Sequence, residues 1–122
     1  MTLKYLITGA TGGLGEQVMN YFTANVPLSE FAAASSNAAN RSIFENRGIA
    51  FRHVNYDDPQ SLKMGLRDVE NLLLVSTGAK HRAEQHASVI EAAKDAGVKH
   101  VRSIYGLADI INDVADKAPL PA

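Results

Sequence analysis

The chain has 122 residues, 46% of them hydrophobic and 20% charged, which is the size and composition of one soluble globular domain rather than of a disordered segment. A net charge of −1 argues against a nucleic-acid partner, and the longest aliphatic run, residues 72–75, is too short to cross a bilayer. Because cysteine is absent, disulfides and thiolate-ligated metals are excluded. We expect a cytoplasmic domain with no nucleic-acid and no membrane partner.

The first predicted element is an apolar strand over residues 3–8, which runs into Gly-Ala-Thr-Gly-Gly-Leu-Gly and then into a predicted helix over 14–24. Gly9 permits a tight turn, Gly12 a close backbone approach to a diphosphate, and Gly15 close packing of the helix on the sheet. The helix start directs N–H groups at the phosphates. This pattern predicts a dinucleotide site; the alternative is a tight turn in some other α/β protein. The predicted cofactor-binding residues of this loop are Gly9, Thr11, Gly12, Gly13, Leu14 and Gly15.

Strand and helix patterns then alternate to the end of the chain. Further strands are predicted over residues 30–35, 49–55, 71–76 and 98–104, and further helices over 37–47, from 58–59 onward, and over 83–96. The helix at Asp58 has an N-cap carboxylate followed by proline at the first helical position. The helical residues expected to point inward are Val18, Tyr21, Phe22, Ile43, Phe44, Val89, Ile90 and Ala93.

This alternation predicts an α/β fold, a doubly wound parallel sheet of the Rossmann type with about five strands in the order 3-2-1-4-5. Residues 1–104 would form the NAD(P)-binding domain, and residues 105–122 a C-terminal amphipathic helix and tail. We expect the helix over 107–114 to cover the edge of the fifth strand or to mediate a homodimer. The ligand is expected at the carboxyl ends of strands 1 and 4, where the strand order reverses.

The end of the second strand bears on the choice of cofactor. An NAD-selective site places an acidic residue there to bind the ribose 2′-hydroxyl, but residues 31–40 contain none. Ser35, Ser36 and Asn37, with Arg41 one turn further on, could hold a 2′-phosphate, so NADP(H) is favoured over NAD(H). Alternatively, the serines only cap a helix.

The fourth strand ends in Ser76, Thr77 and Gly78 at the point where the strand order reverses, so these residues are predicted to line the ribose and nicotinamide side. The alternative is that these three residues are ordinary loop residues without a role in binding. His81 and His86 are five residues apart and do not share the helical face that a zinc pair needs, so no metal site is predicted.

The ordered series of segments resembles the NmrA-like branch of the atypical short-chain dehydrogenase/reductases, which includes NADPH-dependent quinone oxidoreductases. The resemblance covers about residues 1–101 and is carried by segments 8–15, 25–27, 48–49, 55–58, 70–76 and 89–100. It implies a Rossmann domain, NADP(H) in the crevice, and a second, substrate-binding half. It also implies that Asp57 contacts the adenine; the alternative is that Asp57 shares a capping role with Asp58. The chain departs from the family after Val101, so we expect the nucleotide-binding half alone.

The superfamily's catalytic pair is a tyrosine with a lysine four residues later. This pair is absent, because the positions four residues after the tyrosines at 5, 21, 56 and 105 hold Gly, Asn, Gln and Asp. Enzyme activity is therefore left open. One hypothesis is the NAD(P)(H)-binding domain of an NmrA-like oxidoreductase, with hydride transfer to a quinone-like acceptor if it is active. The alternative is a non-enzymatic NAD(P)-sensing regulatory or interaction module, and a third is a fragment without independent function.

Overall fold

A computed structural model describes residues 3–10, 13–55, 57–75 and 82–104, which form one parallel sheet with helices on both faces. The strands are β1 (Leu3–Thr8), β2 (Phe31–Ser35), β3 (Ala50–His53), β4 (Val69–Val75) and β5 (His100–Ile104). The helices are α1 (Gly13–Asn25), α2 (Arg41–Glu45), α3 (Pro59–Gly65) and α4 (Arg82–Ala96), with short 3-10 helices at Leu28–Glu30 and Ala38–Asn40. The order β3-β2-β1-β4-β5, with every pair parallel, confirms the predicted doubly wound fold.

The core is divided by the sheet into two layers, because successive side chains of a strand point to opposite faces. Tyr5 and Ile7 belong to the layer that α1 and α2 cover, whereas Leu6 belongs to the layer under α3 and α4. All residues of β2 and nearly all of β4 are buried, as is typical of strands covered on both faces. The nearly continuous apolar run of β4 is therefore a consequence of its central position.

An aromatic cluster attaches α1 to the sheet. The Phe22 ring lies 5.2 Å from the Tyr5 ring and 5.4 Å from the Phe31 ring, measured between ring centroids. All three side chains are fully buried, and each contributes on the order of 2 kcal/mol of hydrophobic stabilisation. The predicted inward face of α1 is confirmed at Val18 and Phe22, and half-buried Tyr21 packs against the same core.

The prediction that Ile43 and Ile90 point inward is wrong, because both side chains are exposed. The predicted helix over 37–47 is reduced to a 3-10 turn and the five-residue α2, and only one of its apolar side chains can face β3. That side chain is Phe44, which stacks on Phe51 at 6.0 Å, while neighbouring Ile43 is 54% exposed. In α4 the buried positions Val89 and Ala93 lie four residues apart. Ile90 is rotated by about 100° from Val89 around the helix and is 50% exposed.

The predicted start of α3 is confirmed in its detail. The Asp58 backbone is extended, and its Oδ1 accepts a hydrogen bond of 3.1 Å from the Gln60 N–H, with Pro59 at the first helical position. The predicted helix over 107–114 lies outside the described residues. Within the described ranges, no helix is long and apolar enough to cross a membrane.

Candidate functional site

The glycine turn after β1 is pressed against the end of β4. Gly9 has a φ of +68°, a region that residues with a side chain rarely adopt. A Cβ built on Gly9 would lie 2.7 Å from the Val75 carbonyl oxygen, so the position is closed to larger residues for two independent reasons. The turn therefore sits between β1 and β4, the two strands at which the strand order reverses.

Gly15 brings the first turn of α1 onto the same backbone. A Cβ on Gly15 would overlap the Gly9 carbonyl oxygen and would lie 2.7 Å from the Ala10 carbonyl carbon. Since both neighbours are main-chain atoms, no change of side-chain rotamer can make room. The sequence-based role of Gly15, close packing of the helix start, matches this contact.

The helix start itself is open. A Cβ on Gly13 would meet no atom within 4 Å, and Gly13 is exposed, whereas Leu14 is half-buried against the core. The first N–H groups of a helix have no partner inside the helix, so those at the start of α1 are available to an anion. The described residues thus form a main-chain cradle that is closed at Gly9 and Gly15 and that could hold an anion such as a diphosphate. Thr11 and Gly12, the remaining predicted loop residues, lie outside the described residues.

The loop after β2 is held by hydrogen bonds around Ser35. The Ser35 Oγ accepts from the Asn37 N–H at 3.2 Å and from Asn40 Nδ2 at 3.0 Å. The Asn37 Oδ1 accepts from the Ala39 N–H at 3.0 Å and so caps the following turn, which means that the cap residue is Asn37 and not one of the serines of the capping alternative. Ser36 is exposed, and within the described residues its hydroxyl and the Asn37 side-chain NH₂ make no hydrogen bond. These two groups remain available for a ligand.

His53 connects this loop to the neighbouring strand, a contact that sequence reasoning missed. Its Nε2 donates to the Ser36 carbonyl oxygen at 2.9 Å. The contact depends on the register of β2 and β3, which pairs Ser35 with His53. No local sequence signal encodes that register, so the strand predicted over residues 49–55 did not indicate this contact.

The two acidic residues after β3, Asp57 and Asp58, make different hydrogen bonds. Asp58 caps α3, whereas the Asp57 N–H donates to Asn55 Oδ1 at 2.9 Å. The Asp57 side chain is exposed and takes no part in the cap among the described residues. The shared-capping alternative for Asp57 therefore has no hydrogen bond in its support.

The described site residues lie at the carboxyl ends of β1, β2 and β3, along one edge of the sheet. Ser76, Thr77 and Gly78, predicted to complete this edge after β4, lie outside the described residues. Among the residues that are described, no group of three His, Asp or Glu side chains could hold a metal ion. The site that the structure presents is a main-chain cradle with polar side chains at its far end.

The family model described as the NmrA-like family matches residues 1–115. The chain belongs to the NmrA-like family. It is 53% identical over 104 residues to an NmrA-like family domain-containing oxidoreductase of Aspergillus flavus, covering 81% of this chain and 34% of that protein. It is 43% identical over 96 residues to quinone oxidoreductase 2 of Escherichia coli, covering 78% of this chain and 34% of that protein. The chain thus spans about a third of the length of the curated relatives it matches.

A solved structure of a relative shows the same fold with a cofactor. The triphenylmethane reductase of Citrobacter sp., complexed with NADP(H), superposes with a TM-score of 0.75 at 36% identity, covering 87% of this chain and 39% of that one. The family resemblance and the Rossmann architecture inferred from the sequence are both confirmed by these matches.

Proposed function

We propose that this chain forms the NADP(H)-binding Rossmann part of an NmrA-like oxidoreductase that transfers hydride to a quinone-like acceptor. The observation that carries the proposal is the cradle formed by Gly9 and Gly15, whose Cβ positions are closed by backbone atoms at the point where the strand order reverses. Further support comes from two relatives, one named quinone oxidoreductase 2 and one described in complex with NADP(H).

Each predicted residue has a defined part in this proposal. The loop residues hold the diphosphate through main-chain N–H groups, with Thr11, Gly12, Gly13 and Leu14 around the helix start. Ser36 and Asn37 donate hydrogen bonds to the 2′-phosphate, and Asp57 lies on the adenine side. Ser76, Thr77 and Gly78 line the ribose and nicotinamide side. When bound, the reduced nicotinamide supplies the hydride, and the protein orients it.

NADP(H) is proposed over NAD(H) because residues 31–40 contain no acidic side chain to accept from a 2′-hydroxyl and to repel a 2′-phosphate. The hydroxyl of Ser36 and the amide of Asn37 are uncharged donors, so the expected preference is smaller than an arginine would give. The ratio of the Kd for NADH to the Kd for NADPH measures this preference directly.

A second candidate function is a non-enzymatic module that senses NAD(P). The observation in its favour is that none of the four tyrosines has a lysine four residues later, so no tyrosine–lysine proton donor is recognisable in the sequence. In this case the bound cofactor would alter an interaction of the chain rather than undergo turnover.

One experiment separates the two functions. The purified chain is titrated with NADPH, NADH and NADP⁺ while nicotinamide fluorescence is followed, and a soluble benzoquinone is then added while NADPH absorbance is recorded. Oxidation that depends on the protein supports the oxidoreductase, and binding without oxidation supports the sensor. No binding at millimolar cofactor would overturn both.

We also propose that residues 1–104 are the cofactor-binding unit and that the predicted helix over 107–114 joins two copies of the chain. The sequence pattern, with apolar residues on one helical face, supports this dimer. Sedimentation of the intact chain and of a Leu107→Asp variant tests it: the variant is expected to be monomeric, and a wild-type chain that is monomeric at micromolar concentration would overturn the dimer.

A further inference from the structure

A cleft with a volume of about 460 Å³ lies along the outer edge of the sheet, beside β3 and α3. Its size is within the range of small-molecule sites in proteins. β3 is the edge strand and is separated from the glycine turn of β1 by β2. The residues that give the cleft its character are Arg41, Arg52, Arg67, Phe51, Met64 and Asp68.

Arg52 is held rigidly within this cleft. Its Nη1 donates to the Gly65 carbonyl oxygen at 2.9 Å and also to the Arg67 carbonyl oxygen, both at the end of α3. The guanidinium is therefore oriented before any ligand arrives, which lowers the entropic cost of binding. Both bonds use the same nitrogen, and within the described residues the other N–H groups of Arg52 make no hydrogen bond.

The environment of Arg52 favours an additional negative charge. Burial lowers the pKa of the Arg52 guanidinium, the nearby Asp68 carboxylate acts in the opposite direction, and Arg67 lowers the pKa further. Because the net result is a lowered pKa, Asp68 does not fully compensate the loss of hydration. A bound anion would act on this pKa in the same direction as Asp68.

Arg41 forms a second oriented cation at the same cleft. Its guanidinium carbon lies 5.1 Å from the centre of the Phe51 ring, and its Nη1 lies 3.6 Å from Glu45 Oε2. The cation–π contact and the ion pair restrict the side chain, which is about half exposed. Exposed Arg67 adds a third positive charge to the lining.

Three arginines and one aspartate line this cleft, and Glu45 beside Arg41 brings a second carboxylate close to it. The local charge is therefore positive, although the chain as a whole has a net charge of −1. We propose that the cleft is a binding site for a small organic dianion, a dicarboxylate or a phosphate monoester. Guanidinium groups bind both kinds of oxyanion in bidentate geometry. A bare phosphate ion would leave most of the volume empty, and the exposed side chain of Met64 provides apolar contact for an organic body.

The test is a titration of the intact chain, at constant ionic strength and followed by backbone amide NMR, with phenyl phosphate in one arm and phthalate in the other. Benzyl alcohol, which is uncharged, serves as the probe control. We expect saturable shifts centred on residues 50–53 and 64–68, and the tighter of the two ligands identifies the acidic group. Binding should persist in the presence of saturating NADPH, because the Arg52 guanidinium lies against the Gly65 and Arg67 carbonyl oxygens at the end of α3, away from the carboxyl ends of the strands. The cleft shares two lining residues with the cofactor edge, namely Arg41, named above for the 2′-phosphate, and His53, which is bonded to the Ser36 carbonyl oxygen.

Arg67→Gln is the informative variant, since the Arg67 side chain makes no hydrogen bond within the described residues and only its carbonyl supports Arg52. We expect it to weaken binding at least about fivefold, equivalent to about 1 kcal/mol. Arg47→Gln is the matched control, because Arg47 is an exposed arginine outside the cleft, and it should change the affinity less than about twofold.

Three results would overturn the proposal. The first is the absence of saturable binding by either anion, and the second is an equal loss of affinity in the Arg67→Gln and Arg47→Gln variants, which would indicate unspecific charge attraction. The third is displacement of the anion by NADPH, which would place it in the cofactor site.

Discussion

The substitution Gly15→Ala tests the central packing contact of the site. An alanine Cβ at this position would overlap the Gly9 carbonyl oxygen and would lie 2.7 Å and 2.9 Å from the carbonyl carbon and Cα of Ala10. All of these atoms belong to the main chain, so the helix start must move away from the turn. Overpacking of this kind costs typically about 1 to 3 kcal/mol, and the number of backbone contacts indicates the upper end.

The intrinsic preference of alanine for helices acts in the other direction. Alanine is favoured over glycine by about 1 kcal/mol inside a helix, so a steric cost of about 3 kcal/mol leaves a net loss of about 2 kcal/mol. For a chain of 122 residues this corresponds to a decrease in Tm of about 8 °C. The assay is urea unfolding followed by far-ultraviolet circular dichroism, with thermal unfolding as a second measurement.

Gly13→Ala is the matched stability control, since the same change is made on the same helix but its Cβ meets no atom within 4 Å. We expect this variant to be as stable as the wild type or more stable by up to about 1 kcal/mol. If the free energies of unfolding of the two variants differed by less than about 0.5 kcal/mol, the close contact between α1 and the glycine turn would not cost the energy expected for an added Cβ at Gly15.

The remaining predictions concern a cap, a specificity position and a helix face. Asp58→Ala should lower the free energy of unfolding by about 1 kcal/mol, because the hydrogen bond from the Gln60 N–H is lost. Asp58→Asn should retain most of the wild-type stability, and urea titration measures both variants. Equal losses in the two variants would contradict the capping role. Ser36→Asp should weaken NADPH binding about tenfold by repelling the 2′-phosphate and leave NADH binding unchanged in fluorescence titrations, whereas a parallel loss of both would argue against the proposed 2′-phosphate contact. Phe44→Ala should cost about 3 to 5 kcal/mol and Ile43→Ala less than about 0.5 kcal/mol, and a reversed order in chemical denaturation would show that the face of α2 has been misassigned.

Features that depend on neighbouring residues were predictable from the sequence. The N-cap at Asp58 requires only an acceptor two residues before Gln60 and a proline between them, and both are local. The glycine turn likewise requires only the order of strand, glycines and helix. The strand order was predicted from the glycine loop after the first strand together with the alternation of elements, because that combination is typical of the Rossmann topology.

The faces of the helices were less predictable. Ile43 and Phe44 are adjacent and equally apolar, so a periodic pattern cannot tell which of them faces β3 when the helix has only five residues. The same holds for Val89 and Ile90 in α4, of which only Val89 is buried. In both cases the choice depends on where the helix axis lies over the sheet, which is a tertiary property.

The sequence by itself determined the strand, turn and helix of the glycine cradle, the α/β class and the family, because these depend on local backbone preferences and on the order of elements. The tertiary structure decided which atoms close that cradle, with the Val75 carbonyl oxygen against Gly9 and the Gly9 carbonyl oxygen against Gly15. It also decided that His53 reaches the Ser36 loop and that Arg41, Arg52 and Arg67 share one cleft. These contacts join residues far apart in the chain, and they exist only once strand register and helix placement bring their atoms within reach.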